Sequence, residues 1–257
     1  MTLGYGSFKS PTFEGHIGAG SHLIGNFLSI SGMRTDRFLD PPEFETLHGD
    51  GNNFSLFDRV DAHPSDSDTF RLNVQAARSS FNIPNTFDQN GAGQDQHQKI
   101  STFNIAPGYT RVIGSRTLFS ANAFVRRDHL TYSPSPDPFS DSPGSVSQDR
   151  KLTNFGVKAD VAYTSGANNV KLGGNISATK LDENFTIGFT DPSFNSPCLD
   201  AGGDPSGNTG LTTINQCGGA LSANPDFNPD LLPYDLSRGG SPLAYAQSAT
   251  IQVGVNF

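Results

Sequence analysis

The stretch Asn154-Phe155-Gly156-Val157-Lys158-Ala159-Asp160-Val161-Ala162-Tyr163 divides by alternate positions into two chemically different sets. Phe155, Val157, Ala159, Val161 and Tyr163 fall on one side of an extended chain, and Asn154, Gly156, Lys158, Asp160 and Ala162 on the other. Successive strand residues point to opposite faces, so the spacing predicts a β-strand with one apolar and one polar face. The pattern recurs in Phe70, Leu72, Val74 and Ala76, set against Arg71, Asn73, Gln75 and Ala77. Phe103, Ile105 and Tyr109 alternate with Thr102, Asn104 and Gly108. Phe119, Ala121, Ala123 and Val125 make a further face, blurred by Leu118 and Phe124. No long window carries the i, i+3, i+4, i+7 spacing of an amphipathic helix. The expected fold class is all-β, an antiparallel meander of long strands.

Outward from these strands, the connections carry most of the information. Strands are expected near 12–20, 22–38, 53–62, 68–82, 98–112, 116–132, 149–164, 169–188 and 245–257. His63–Ser67, Ile113–Ser115 and Ser165–Asn168 are short and have turn composition. The intervening connections, 39–52, 83–97, 133–148 and 189–244, are long, polar and rich in Pro and Asp. An antiparallel sheet with that alternation has tight turns on one rim and large loops on the other. Several strands reach 15 to 20 residues, whereas globular strands run about 5–6 and a tilted membrane-spanning strand needs about 9–11. Length, alternation and loop asymmetry together predict a transmembrane outer-membrane β-barrel. Residues 1–257 are then a single unit, with 189–244 as its long extracellular loop. The same alternation also describes a secreted β-sandwich or solenoid. The absence of Trp, and a complement of only 6 Tyr, weigh against the usual interfacial girdles, since Phe lacks their polar tip.

Composition narrows the function classes. Of 257 residues only 34% are apolar and 16% charged, which suits strands with one face toward a polar lumen. Twenty Phe residues are too many for a solvated polymer. A net charge of −8, with no basic stripe, excludes a nucleic-acid binder. No run approaches the 18 or so apolar residues of a transmembrane helix. Met1 to Gly6 shows no basic region leading into an apolar one, so no signal peptide is expected there.

The run from Gly25 through Phe27, Met33, Arg34 and Phe38 to Pro42 resembles an early barrel strand and loop of TonB-dependent outer-membrane receptors. More specifically, it is similar to the Oar-like group with a carboxypeptidase-regulatory-like N-terminal domain. Asn53–Arg59 with Phe70–Asn73, and Phe155–Asp160, fit the same barrel, and the resemblance covers most of 12–190. It implies a receptor that takes up a bulky solute, with a 22-stranded barrel around a plug and energy supplied through the TonB complex. The chain departs from that pattern in having no recognisable plug or TonB box and about nine expected strands. It therefore reads as an internal barrel fragment whose partners are outer-membrane lipid, the remaining strands and a plug. The ligand is left open among peptides, glycans, siderophores and cobalamin. A small stand-alone barrel and a secreted, adhesin-type surface β-protein are the alternatives. Ala249–Phe257, alternating and ending in Phe, is similar to the C-terminal assembly signal of outer-membrane barrels, although any strand cut at a Phe would look so.

Few residues suggest a discrete site. Cys198 and Cys217 lie in the longest loop amid Gly, Pro, Asn and Asp, and a disulfide there is expected over two free thiols in an oxidising compartment. Asp200 and Asp204 are the nearest approach to a metal site, but the calcium-loop spacing and closing Glu are missing, so a solvated turn is expected. The histidines at 16, 22, 48, 63, 97 and 129 form no zinc motif, and no nucleophile elbow or nucleotide fingerprint occurs. No enzyme and no cofactor are expected. Arg126, Arg127 and Asp128, and Arg34, Asp36 and Arg37, fall near strand ends toward the long-loop rim. Arginines so placed either bind lipopolysaccharide phosphates or pair with acids across strands.

Overall fold

The computed structural model describes residues 1–166, 168–208, 211–229 and 236–256, the last segment through its backbone. Ala167 of the Ser165–Asn168 turn, and Phe257 of the expected terminal signal, lie outside the described residues. The strands are β1 (Thr2–Gly6), β2 (Ser10–Gly20), β3 (Ile24–Thr35), β4 (Gly51–Ser65) and β5 (Asp68–Asn82). They continue as β6 (His97–Ile113), β7 (Thr117–Ser133), β8 (Gly144–Ser165) and β9 (Asn168–Phe189). β10 (Cys198–Leu199) and β11 (Ser222–Ala223) form a small sheet of their own, and β12 (Leu236–Asn256) returns to pair with β9. The result is a 10-stranded antiparallel meander in the order β1 to β9, then β12. β1 and β12 are its two edges and do not pair with each other, so the described sheet is open.

Three elements differ from the sequence expectation. β1, with two glycines in five residues, has little strand propensity of its own and forms by pairing Leu3 with Phe13 and Tyr5 with Pro11. β12 begins at Leu236 rather than 245, which shortens the long loop from 189–244 to 190–235. Gly239, Gly240 and Pro242 hide that strand in the sequence, and its register breaks between Ser241 and Ala244, around a proline with no N–H to donate. A short helix, α1 (Phe87–Gly91), interrupts the second long loop where no helix was expected. Thr86 and Gln89 form its capping box, a signal present in the sequence as Thr-x-x-Gln.

The connections sort onto two rims. Ser21–Leu23, Asp66–Ser67, Gly114–Arg116 and 166–167 make one rim, with Gly114 and Gly166 at φ +61° and +59° supplying the left-handed turn residues. The other rim carries 36–50, 83–96, 134–143 and, of the longest loop, 190–208 and 211–229, together with the one short turn Ser7–Lys9.

Register converts the alternation of single strands into two continuous faces. Leu28, Asp58, Val74, Ile105, Val125, Phe155 and Ala178 stand side by side as one transverse row. Ala62, Phe70, Tyr109, Ala121, Ala159 and Gly174 form another row nearer the short turns. On the opposite face, Phe57, Gln75, Asn104, Arg126, Asn154 and Thr179 stand in register, as do Asp61, Arg71, Gly108, Asn122, Lys158 and Asn175. Asp58 is the carboxylate interrupting the apolar face, and the Asn26 amide donates to it at 2.6 Å.

Nothing in the described chain covers the apolar face. Among the described residues Cys198 is the sole buried hydrophobic side chain, while Phe103, Val157 and Ile176 are 48%, 56% and 70% exposed. The apolar band also runs obliquely. Its edge toward the long loops passes from Phe54 on β4 to Ala178 on β9, and its other edge from Ala62 to Val170. Both edges therefore move four residues along the strands between β4 and β9. Four residues at about 3.3 Å, across five spacings of about 4.8 Å, set the band roughly 30° off the perpendicular to the strands.

Local packing is tight where aromatic rings cover glycines. Phe124 lies over its partner Gly156, where an added Cβ would meet the Ile176 carbonyl at 2.7 Å and the Phe124 ring at 2.8 Å. Gly25 has no such neighbour within 4 Å. Gly156→Ala is expected to destabilise the sheet by about 1–3 kcal/mol, with Gly25→Ala close to wild type. Thermal unfolding followed by circular dichroism compares the two.

Candidate functional site

Two surfaces carry polar chemistry: the polar face of the sheet and the long-loop rim. On the face, Asp61 lies between Arg59 at 2.6 Å and Arg71 at 3.1 Å. Arg126 holds Asp128 at 2.9 Å, and the Thr102 hydroxyl donates to the same carboxylate at 2.7 Å. Lys171 stands 3.9 Å from Asp160. Ser31 and Ser55 share a 2.9 Å hydrogen bond, and the Thr179 hydroxyl donates to Asn154 at 2.6 Å. At the β2 end, His16 contacts Glu14 and Ser29 and stacks on Phe27. These groups are bonded mainly to one another along the surface, an arrangement that suits a wetted wall and provides no enclosed pocket aimed at one reacting atom.

The rim is ordered by buried polar groups in place of an apolar core. His48 bridges two loops, with Nδ1 2.9 Å from the Ile83 carbonyl and Nε2 2.8 Å from Asp95. The Asp95 amide donates to the Ser135 hydroxyl at 2.7 Å, and that hydroxyl donates to Asp141 at 2.6 Å. Asp141, fully buried, also accepts from the Ser135 amide and the Ser145 hydroxyl, and its carbonyl accepts from Thr190 at 2.6 Å. One chain of bonds thus ties all four long loops in order. His48, Asp95 and Ser135 are not a nucleophilic triad, because the Ser135 hydroxyl is turned to Asp141 and is buried. His48 has φ +56°, a conformation uncommon for a residue with a Cβ and held here by its two side-chain bonds. Burial first, and the Asp141 charge second, push the Tyr132 phenol above its ordinary range, and it donates to Gln96 at 2.7 Å.

The residues singled out in the sequence do not gather into one site. Cys198 and Cys217 are joined as a disulfide in the loop after β9, with Cα atoms 5.5 Å apart. Asp200 spends one carboxylate oxygen on its own turn, accepting from the Gly202 and Asp204 amides at 2.8 and 3.0 Å. Among the described residues no three His, Cys, Asp or Glu side chains gather as a metal site. His129 sits 2.8 Å from Asp149, and His63 bonds Thr69. Lys9 binds Asp36 at 2.8 Å, which raises its ammonium above the ordinary lysine range. Arg37 reaches Asp40 and lies over the Phe8 ring. Arg126 pairs within its own strand and not across strands, whereas Arg127 and Arg34 occupy the apolar-face side.

The relay from His48 to Thr190 is not legible in the sequence. Its members are scattered from 48 to 190, and only the meander, which makes consecutive loops neighbours, brings them together. Comparison of the chain with protein-family models and with curated proteins finds no match in either.

Asp141→Ala removes the acceptor of buried donors and is expected to speed local opening of 134–143 about tenfold or more. Ser142→Ala, at an exposed position of the same loop, is expected to leave it unchanged. Hydrogen exchange of the loop amides measures both.

Proposed function

We propose that this chain forms wall of an outer-membrane β-barrel, with its apolar face against lipid, its polar face toward the lumen and its long loops outside the cell. The observation that carries the reading is the oblique apolar band, covered by nothing in the described chain. Strands in such barrels tilt about 35–45° from the membrane normal, so a band parallel to the membrane crosses them obliquely. The slant of roughly 30° calculated from the register is close to that. Phe155 to Tyr163 on β8 and Val170 to Ala178 on β9 match the about 9–11 residues a tilted strand needs to cross. Rings border the band at both edges. Phe70, Tyr109 and Phe119 neighbour one another near the short turns, with centroids 4.6 and 6.2 Å apart, and the Tyr109 hydroxyl reaches Asp68 at 2.5 Å. Phe54, Phe103 and Phe155 stand toward the long loops.

The receptor-level reading rests on the resemblance of Gly25–Pro42 to TonB-dependent receptors of the Oar-like group. In it, the loops tied by His48, Ser135 and Asp141 capture a solute, and polar side chains such as Asn104, Arg126 and Lys158 line its passage. A plug domain coupled to the TonB complex supplies the energised step. Unpaired sheet edges are not tolerated in lipid, so the β1 and β12 edges join further strands, of this polypeptide or another.

Membrane fractionation with single cysteines tests the reading. The chain is expected in the outer-membrane fraction, resisting alkaline wash. A water-soluble maleimide is expected to label Lys158→Cys and to leave Val157→Cys unlabelled until the protein is denatured. A detergent-independent soluble chain, labelled equally at both positions, contradicts the reading and favours a secreted surface β-protein.

A further inference from the structure

The apolar face ends abruptly on its long-loop side in basic residues. Arg127 on β7, Thr153 on β8 and Lys180 on β9 stand in one transverse row, immediately beyond Val125, Phe155 and Ala178. Arg78 on β5, His129 on β7 and Lys151 on β8 occupy the next row out. Arg78, Arg127 and Lys180 are exposed and pair with no carboxylate among the described residues. On the polar face Arg59, Arg71, Arg126 and Lys171 each have an acid partner, whereas Arg150 and Lys158 have none among the described residues. The nearby Asp149 is taken by His129 and Lys151, at 2.8 and 3.6 Å, leaving Asp182 as the acid beside this group. In a chain of net charge −8, three unpaired cations within two rows of the band's edge call for a separate explanation.

Resting on the barrel reading, we propose that Arg127, Thr153 and Lys180 form a binding site for the phosphorylated headgroup of an outer-leaflet glycolipid, with Arg78 flanking it. The residue types suit a phosphate: a guanidinium donates two parallel hydrogen bonds, an ammonium adds a mobile positive charge, and a hydroxyl completes the set. The spacing suits it too. Arg127 and Lys180 are two strands apart, about 10 Å between backbones, and both side chains can lean inward over Thr153 toward one anion. Position selects the source of the anion. The site lies one row above the apolar band, so the acyl chains of the same lipid lie along Val125, Phe155 and Ala178 while its phosphate meets the cations. A free anion has no use for that adjacency. Of the two arginines adjacent in the sequence, the alternation assigns Arg127 to lipid and leaves Arg126 bonded to Asp128 on the polar face.

Native mass spectrometry of the full chain in a neutral detergent tests the site with diphosphoryl lipid A, dephosphorylated lipid A and inorganic phosphate. The wild-type chain is expected to retain diphosphoryl lipid A about tenfold more tightly than the dephosphorylated form, the effect of one good charge-assisted contact. R127E/K180E, and the milder R127Q/K180Q, are expected to lose that preference, while K158E on the opposite face keeps it. Circular dichroism of each variant identifies any that fail to fold. Undiminished preference in a folded R127Q/K180Q chain overturns the site, as does equal retention of both lipids or equal affinity for inorganic phosphate. Failure of the barrel reading itself looks different: the chain then stays soluble without detergent and retains neither lipid in any variant.

Discussion

Contact between water and the apolar face of β2 to β9 is the constraint from which the rest of this structure follows. Each Val, Leu, Ile or Phe left in water forgoes about 1.5–3 kcal/mol of burial, and Phe155, Val157 and Val161 on β8 alone forgo several kcal/mol. A protein whose net stability is about 5–15 kcal/mol cannot leave such a face wet across eight strands. A sandwich would cover it with a second sheet and a solenoid with further coils. In this meander each long strand extends the same sheet, and among the described residues nothing folds back over it. The barrel we propose would cover the band with lipid.

The other face and the rim solve the complementary problem. Polar side chains on the sheet bond laterally, as Arg59, Asp61 and Arg71 do, and stay accessible to water. The long loops are tied mainly by polar bonds between neighbours, His48 to Asp95, Asp95 to Ser135 and Thr190 to Asp141, beside the stacked rings of Phe38 and Phe81. Buried polar networks of this kind are stable only when every member is paired, and among the described residues no buried side-chain polar atom lacks a partner. The disulfide between Cys198 and Cys217 closes part of the longest loop, a constraint typically worth about 2–4 kcal/mol.

The strands were legible in the sequence because period two is a local property. β5 at 68–82 coincides with its expected span, and β6 and β7 differ from theirs by a residue or so at each end. β1 and the first nine residues of β12 were not legible, since their glycines and Pro242 give no strand signal and they form by pairing with β2 and β9. The oblique band could not be read from any one strand, because it exists only in the register between strands. The same holds for the rim. His48 and Asp141 look like ordinary loop residues until the meander sets their loops side by side. Arg126 and Arg127 were legible as a pair near the rim, and their opposite environments followed once the alternation had been placed on a sheet.

The most direct test of the account is a spin-label scan along β4 and β9 in a lipid bilayer, comparing quenching by oxygen with quenching by a water-soluble nickel complex. The account predicts oxygen-accessible positions at every second residue, bounded at Phe54 and Ala62 on β4 and at Val170 and Ala178 on β9. Both boundaries would then be displaced by four residues in register between the two strands. Nickel accessibility on both faces of these strands, with no period of two, would contradict it.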